Sequence, residues 1–146
     1  MRRRATAVFI IGLLLGLISC GGRKDYSDEP LTNAQIRQGI GPVDTLQLEP
    51  VNPNLAGRGE RIFRDKCMKC HLLDKPNLGP PLRKVANRRS PEFIMNIILN
   101  PQENVMRHPA MQKYRQQYNQ LMTSQGLDST AARAVLEYFR SVAPTD

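Results

Sequence analysis

Five consecutive residues, Cys67-Met68-Lys69-Cys70-His71, constrain this chain more than any other feature. They spell C-x-x-C-H, the attachment signature of a c-type haem. Two thiols three positions apart can each add to one vinyl group on the same edge of a porphyrin. The histidine directly after the second thiol is then held beneath the iron as its proximal ligand. A fold wrapped around one haem needs less apolar mass of its own. That matters in a chain with no tryptophan and only four phenylalanines.

Two other chemistries use C-x-x-C. A structural zinc site wants four ligands, usually from two such pairs. Here only Cys20 and His108 remain to complete a set. A thioredoxin-like dithiol needs a βαβ context, and no run of strands is legible. Haem attachment is the reading that fits.

The first residues read as a leader rather than as fold. Arg2, Arg3 and Arg4 form a positive n-region, and residues 8–18 form an apolar stretch of secretory-signal length, too short for a comfortable membrane span. Leu17-Ile18-Ser19-Cys20-Gly21 follows at once and resembles a bacterial lipobox, in which the cysteine takes a diacylglycerol and becomes the mature N-terminus. An uncleaved anchor with an incidental cysteine is the alternative. Both put the remainder in the cell envelope, on the periplasmic face and tied to a membrane. The expected organisation is a signal peptide over 1–19, a lipidated N-terminus and tether over 20–53, and one domain over 54–146. With Cys20 lipidated and Cys67 and Cys70 on haem, no thiol is left for a disulfide.

Losing residues 1–19 lowers the formal charge from +8 to about +5, so the mature chain stays basic. Arg83, Lys84, Arg88 and Arg89 follow the motif; Arg58, Arg61, Arg64, Lys66 and Lys69 precede or interrupt it. A basic rim at a haem edge would steer docking to acidic redox partners. Ordinary solvated charge explains the same residues. Nucleic acid is not expected, because aromatics are sparse and the compartment is wrong.

Residues 21–53 carry Pro30, Pro42, Pro50 and Pro53 and read as a tether with little regular structure. Apolar residues from Leu31 to Val51 suggest that its later half lies across the domain. Beyond it the pattern is all-helical. A first helix is predicted from about Asn54, as N-cap, to Lys66. Ser90 caps a second, with Pro91 at its first position, a buried stripe of Phe93, Ile94, Ile97 and Ile98, and an end at Asn100-Pro101. Residues 109–119 form a polar helix. A last helix starts at Asp128 or Ser129 and repeats Ala132, Val135, Leu136, Phe139 and Ala143 on one face.

An iron with one histidine needs a second axial ligand or an open position, and that choice separates electron transfer from gas binding or peroxidation. The candidates are Met95, Met106, Met111, Met122 and His108. Met95 reads as core, Met111 as helix packing, and His108 as a solvated side chain before Pro109. Met122 is preferred, because an irregular stretch before the last helix can turn a long thioether onto the iron.

These residues together resemble the monohaem class I cytochromes c over most of residues 54–143. Gly59, Phe63 and Cys67 repeat that family's first-helix pattern, and Leu136 with Phe139 its last-helix pair. Gly79-Pro80-Pro81-Leu82 is similar to its Gly-Pro loop, and Tyr118 to Leu127 to the segment with the axial methionine. The family's proline beside that methionine is missing, since Leu121 and Thr123 flank Met122. The resemblance implies an all-α class I cytochrome c fold around one covalent haem c. It implies that the two end helices cross at the glycine, that His71 and Met122 ligate iron, and that the Pro80 carbonyl orients His71. It also implies an electron carrier rather than an enzyme, between a quinol-oxidising complex and a terminal oxidase or reductase. A haem enzyme or gas binder with an open axial site, or a permanent subunit of a respiratory complex, are the alternatives.

Overall fold

The computed structural model describes residues 28–145. The leader and Cys20 lie outside the described residues. Local capping sets where each helix begins. Thr32 and Gln35 bond reciprocally, side chain to backbone N–H, and start α1 (Asn33–Gln38). Asn52, rather than Asn54, caps α2 (Pro53–Ile62). Its side-chain oxygen accepts from the N–H groups of Asn54 and Leu55, because Pro53 fits the first helical position, where no N–H is needed. A short α3 (Val85–Arg88) precedes α4 (Pro91–Leu99), which Ser90 caps as expected. Asn100-Pro101 both ends α4 and starts α5 (Pro101–Arg107), which the sequence reading did not anticipate. Then come α6 (Pro109–Tyr118) and α7 (Ser129–Val142), the latter capped by Asp128. Among the described residues there is no strand, and no helix long and apolar enough to cross a membrane.

The core forms where α2 crosses α7. A Cβ on Gly59 would overlap the backbone carbonyl of Ala134, so only glycine lets the helices meet there. Phe63 stands edge-on to Phe139, with centroids 5.6 Å apart, and packs with Ile94, Met95, Val135 and Leu136. Between this contact and the first cysteine, Phe63–Cys67 forms one π-helical turn, closed by the Met68 N–H on the Phe63 carbonyl at 2.9 Å. Such widened turns are rare and recur at functional sites.

The tether's described part is a belt laid across α4, α5 and α7. Ile40 is buried, and Asn104 exchanges two bonds with its backbone, 2.8 Å from the Ile40 N–H and 2.7 Å to its carbonyl. Asn96 does the same for Val43 at 2.9 Å each. His108, expected in solvent, is only 2% exposed. Its Nδ1 accepts from the Ala110 N–H and so caps α6, and its Nε2–H donates to the Ile36 carbonyl at 3.0 Å. The belt supplies what a view of the downstream residues alone misses, an acceptor that draws the imidazole inward.

At the belt's end, Glu137 lies buried on α7 and accepts from Arg133, Arg140 and the Asn52 N–H. Arg140 also donates to the Glu49 carbonyl. Burial pushes the Glu137 carboxyl up, but the Arg140 bond, the Asn52 N–H and the two guanidiniums outweigh it and hold it below the usual range. A carboxyl depressed in the fold adds stability above its unfolded value, about 4.3, and that stability is lost as pH falls through the lower folded value. Chemical unfolding of the holoprotein at a series of pH values should therefore show stability dropping below about pH 4. Glu137→Gln should be less stable at pH 7 and show a shallower drop.

Candidate functional site

The C-x-x-C-H segment is a tight turn. The N–H groups of Cys70 and His71 both donate to the Cys67 carbonyl, at 3.0 and 2.9 Å. The loop after it folds back, with the Gly79 N–H on the Cys70 carbonyl and the Leu82 N–H on the Leu72 carbonyl. This brings Gly79 flat against the His71 ring, where a Cβ would collide with the imidazole. The next carbonyl, that of Pro80, accepts from His71 Nδ1–H at 3.0 Å. A carbonyl only accepts, so the proton sits on Nδ1 and Nε2 is left with a free lone pair. Burial lowers the His71 pKa, against the opposite pull of the Pro80 carbonyl. The side chain is thus a neutral imidazole of fixed tautomer, the form that ligates a metal.

A cavity of about 480 Å³ opens beside this turn. Ile94 and Ile97 of α4, Val105 of α5, and Val135 and Phe139 of α7 line it with hydrocarbon. α6 adds Met111, Tyr114 and Tyr118, the two rings 6.5 Å apart. Asn119, in the left-handed region with φ 49°, then turns the chain out of α6 into the irregular segment that carries Met122. Cys67, Cys70, His71, Pro80 and Met122 all line this one cavity. Of the other ligand candidates only Met111 does. Met95 is core, His108 belongs to the belt, and Met106 is 43% exposed with its sulfur against Arg115. Sequence reasoning passed over Tyr114 and Tyr118, whose i, i+4 spacing on a polar helix was the available signal.

Lys66, Arg88, Arg89 and Arg115 also line the cavity, and among the described residues no carboxylate does. Arg89 lies over the Phe93 ring, 4.8 Å from its centroid. The chemistry of the turn suits covalent haem better than its rivals. Among the described residues no three His, Cys, Asp or Glu side chains converge on a metal-ion position, as structural zinc would require. Burial, and then the neighbouring Cys70, push the Cys67 thiol up to about 11. Catalytic dithiols instead need a thiolate near neutral pH.

A family model described as cytochrome c matches residues 56–143. Among solved structures, the chain is similar to a cytochrome c from Rhodothermus marinus. The two are 42% identical, with 75% of this chain and 96% of that one covered, at a TM-score of 0.72. An engineered cytochrome c from the same organism, bound to a carbene intermediate, aligns over the same shares at 42% identity and a TM-score of 0.68. No curated protein matches the chain.

Proposed function

Because the chain belongs to the cytochrome c family of haem-based electron carriers, we propose that it is a membrane-tethered monohaem carrier of single electrons between respiratory complexes. A haem in this cavity supplies a metal centre that gains and loses one electron without any bond being made or broken. The residues around it divide the remaining work. Cys67 and Cys70 hold the porphyrin covalently. His71 offers its free Nε2 to the metal, and Pro80 fixes the ring so that the ligand keeps one orientation in both oxidation states. Met122 would supply a thioether to the same metal, and a thioether partner favours the reduced state. The hydrocarbon walls exclude water, and Arg88, Arg89 and Arg115 can meet the porphyrin carboxylates.

One observation carries this reading: a single apolar cavity is lined by the attachment turn, by an oriented neutral imidazole, and by a thioether from a segment 51 residues away. Ferric and ferrous spectra test it. Wild-type ferric protein should show a thioether-to-iron charge-transfer band at the red end of the spectrum. Met122→Ala should abolish the band and lower the reduction potential. A band that survives in Met122→Ala assigns the ligand to Met111 instead.

The lipobox-like Leu17-Ile18-Ser19-Cys20-Gly21 supports the membrane half of the proposal, since a lipid on Cys20 would raise the effective concentration near membrane partners. The donor is then a quinol-oxidising complex and the acceptor a terminal oxidase or reductase. Lys66, Arg88, Arg89 and Arg115, the charged residues described along the cavity, favour acidic docking surfaces on both. Electron exchange with them should slow as salt rises.

A further inference from the structure

Five of the side chains that grip the belt fall at every fourth position. Glu92, Asn96, Asn100, Asn104 and His108 form one row that runs from α4 through α5 to the first residue before α6. Along the row they bind the belt in broadly reverse order, with Asn96 also donating to the Gln38 carbonyl at 2.8 Å. Glu92 takes the Leu46 N–H at 3.0 Å. Asn96 takes both backbone groups of Val43, Asn104 both of Ile40, and Asn100 the Ile40 carbonyl again. His108 closes the row on the Ile36 carbonyl. The belt is shaped to fit: Gly39 takes φ +73° against Asn104, and a Cβ on Gly41 would strike the Asn96 side chain. The four-residue period runs on through both proline junctions, Asn100-Pro101 and His108-Pro109, so the row makes one line of bonds along the belt's backbone.

The far end of that line is the cavity wall. α6 buries no residue against other parts of the protein, and among the described residues its one substantial contact with another helix is with α5. It nevertheless presents Met111, Tyr114 and Tyr118 to the cavity and leads directly into Met122. Its N-terminal end is placed by α5 and by His108, whose two nitrogens tie the α6 cap to the belt.

We propose that the belt positions the α6 wall over the haem, so that Asn96, Asn104 and His108 are positioning residues for the axial thioether. The inference rests on Met122 as ligand. With the belt seated, the segment after α6 is kept at a fixed height above the cavity. With the belt lifted, the wall swings more freely, and the axial position opens to added ligands before the rest of the fold is lost. The row makes no hydrogen bond to the α2–α7 crossing, and the belt meets that core only at its edge, through Val43 and Leu46.

Binding of imidazole to the ferric holoprotein tests this. Gly41→Ala lifts the belt from the belt side, and Asn104→Ala releases it from the wall side; neither residue lines the cavity. Leu136→Val, a core substitution at a side chain that neither bonds the belt nor lines the cavity, is the control. Apparent affinity scales with the population of the open state, so the two belt variants should bind imidazole about tenfold more tightly than wild type. Leu136→Val should lower the thermal midpoint with no such gain. Faster proteolysis within residues 36–46 checks that the belt has lifted. Unchanged affinity in a variant whose belt is cut readily overturns the proposal, as does an equal gain in Leu136→Val. A wild-type ferric spectrum with no thioether band would instead remove the Met122 reading, and this inference with it.

Discussion

Replacing Cys67 and Cys70 together with alanine is expected to leave a colourless chain with most of its helix lost. The apolar cavity explains the size of the effect. Deleting apolar mass from a core costs about 24 cal/mol for each Å³ left unfilled. For about 480 Å³ that is on the order of 10 kcal/mol, an upper bound because water can enter this cavity from its mouth. A whole domain is stable by only about 5–15 kcal/mol. Ile94, Ile97, Val105, Val135 and Phe139 would face the gap from three helices at once. Far-UV circular dichroism and thermal melting of the purified variant, beside wild-type holoprotein, provide the measurement. A native helical signal with a cooperative melt in the colourless variant would show that the helices hold one another without the porphyrin.

Gly59→Val should have the next largest effect. The new side chain would begin inside the contact radius of the Ala134 carbonyl oxygen and 2.9 Å from the Tyr138 Cβ. Neither is the free end of a flexible side chain. α2 and α7 would have to separate, taking Phe63 away from Phe139 and Leu136. Overpacking of this kind costs about 3 kcal/mol or more when backbone must move. Gly57 is a direct comparison, two residues earlier on the same helix and facing open space. Gly57→Ala should stabilise the protein by up to about 1 kcal/mol, because alanine is the better helix former. Denaturant unfolding of the two holoproteins should place them on opposite sides of wild type. Equal midpoints would mean that the helix crossing tolerates a wider spacing than its geometry indicates.

Helices with both a cap and an apolar stripe could be read directly from the residues. Ser90-Pro91 opens α4 and Asp128 opens α7 because a capping side chain and an inward face coincide there. The start of α2 was displaced by two residues because two asparagines flank Pro53, and only the proline's fixed φ decides between them. α5 is hidden in the sequence because Asn100-Pro101 also reads as a stop, though a proline opens a helix as readily as it ends one. The attachment turn carries a short motif and so was plain from the start. The belt's grip was not, since asparagines bonded to a distant backbone carry no hydrophobic pattern. Its trace is the spacing of Glu92, Asn96, Asn100, Asn104 and His108, which has meaning only once a partner strand of chain is known. His108 was misjudged for the same reason: its acceptor lies 72 residues upstream.

The sparse packing of α6 on the other helices also bears on redesign. Met111, Tyr114 and Tyr118 face the cavity and not the α2–α7 crossing. A library over Met111, Tyr114 and Tyr118 would thus reshape the doorway to the metal while leaving the α2–α7 scaffold intact. The same library placed on α4 or α7 would spend most of its members on chains that do not fold.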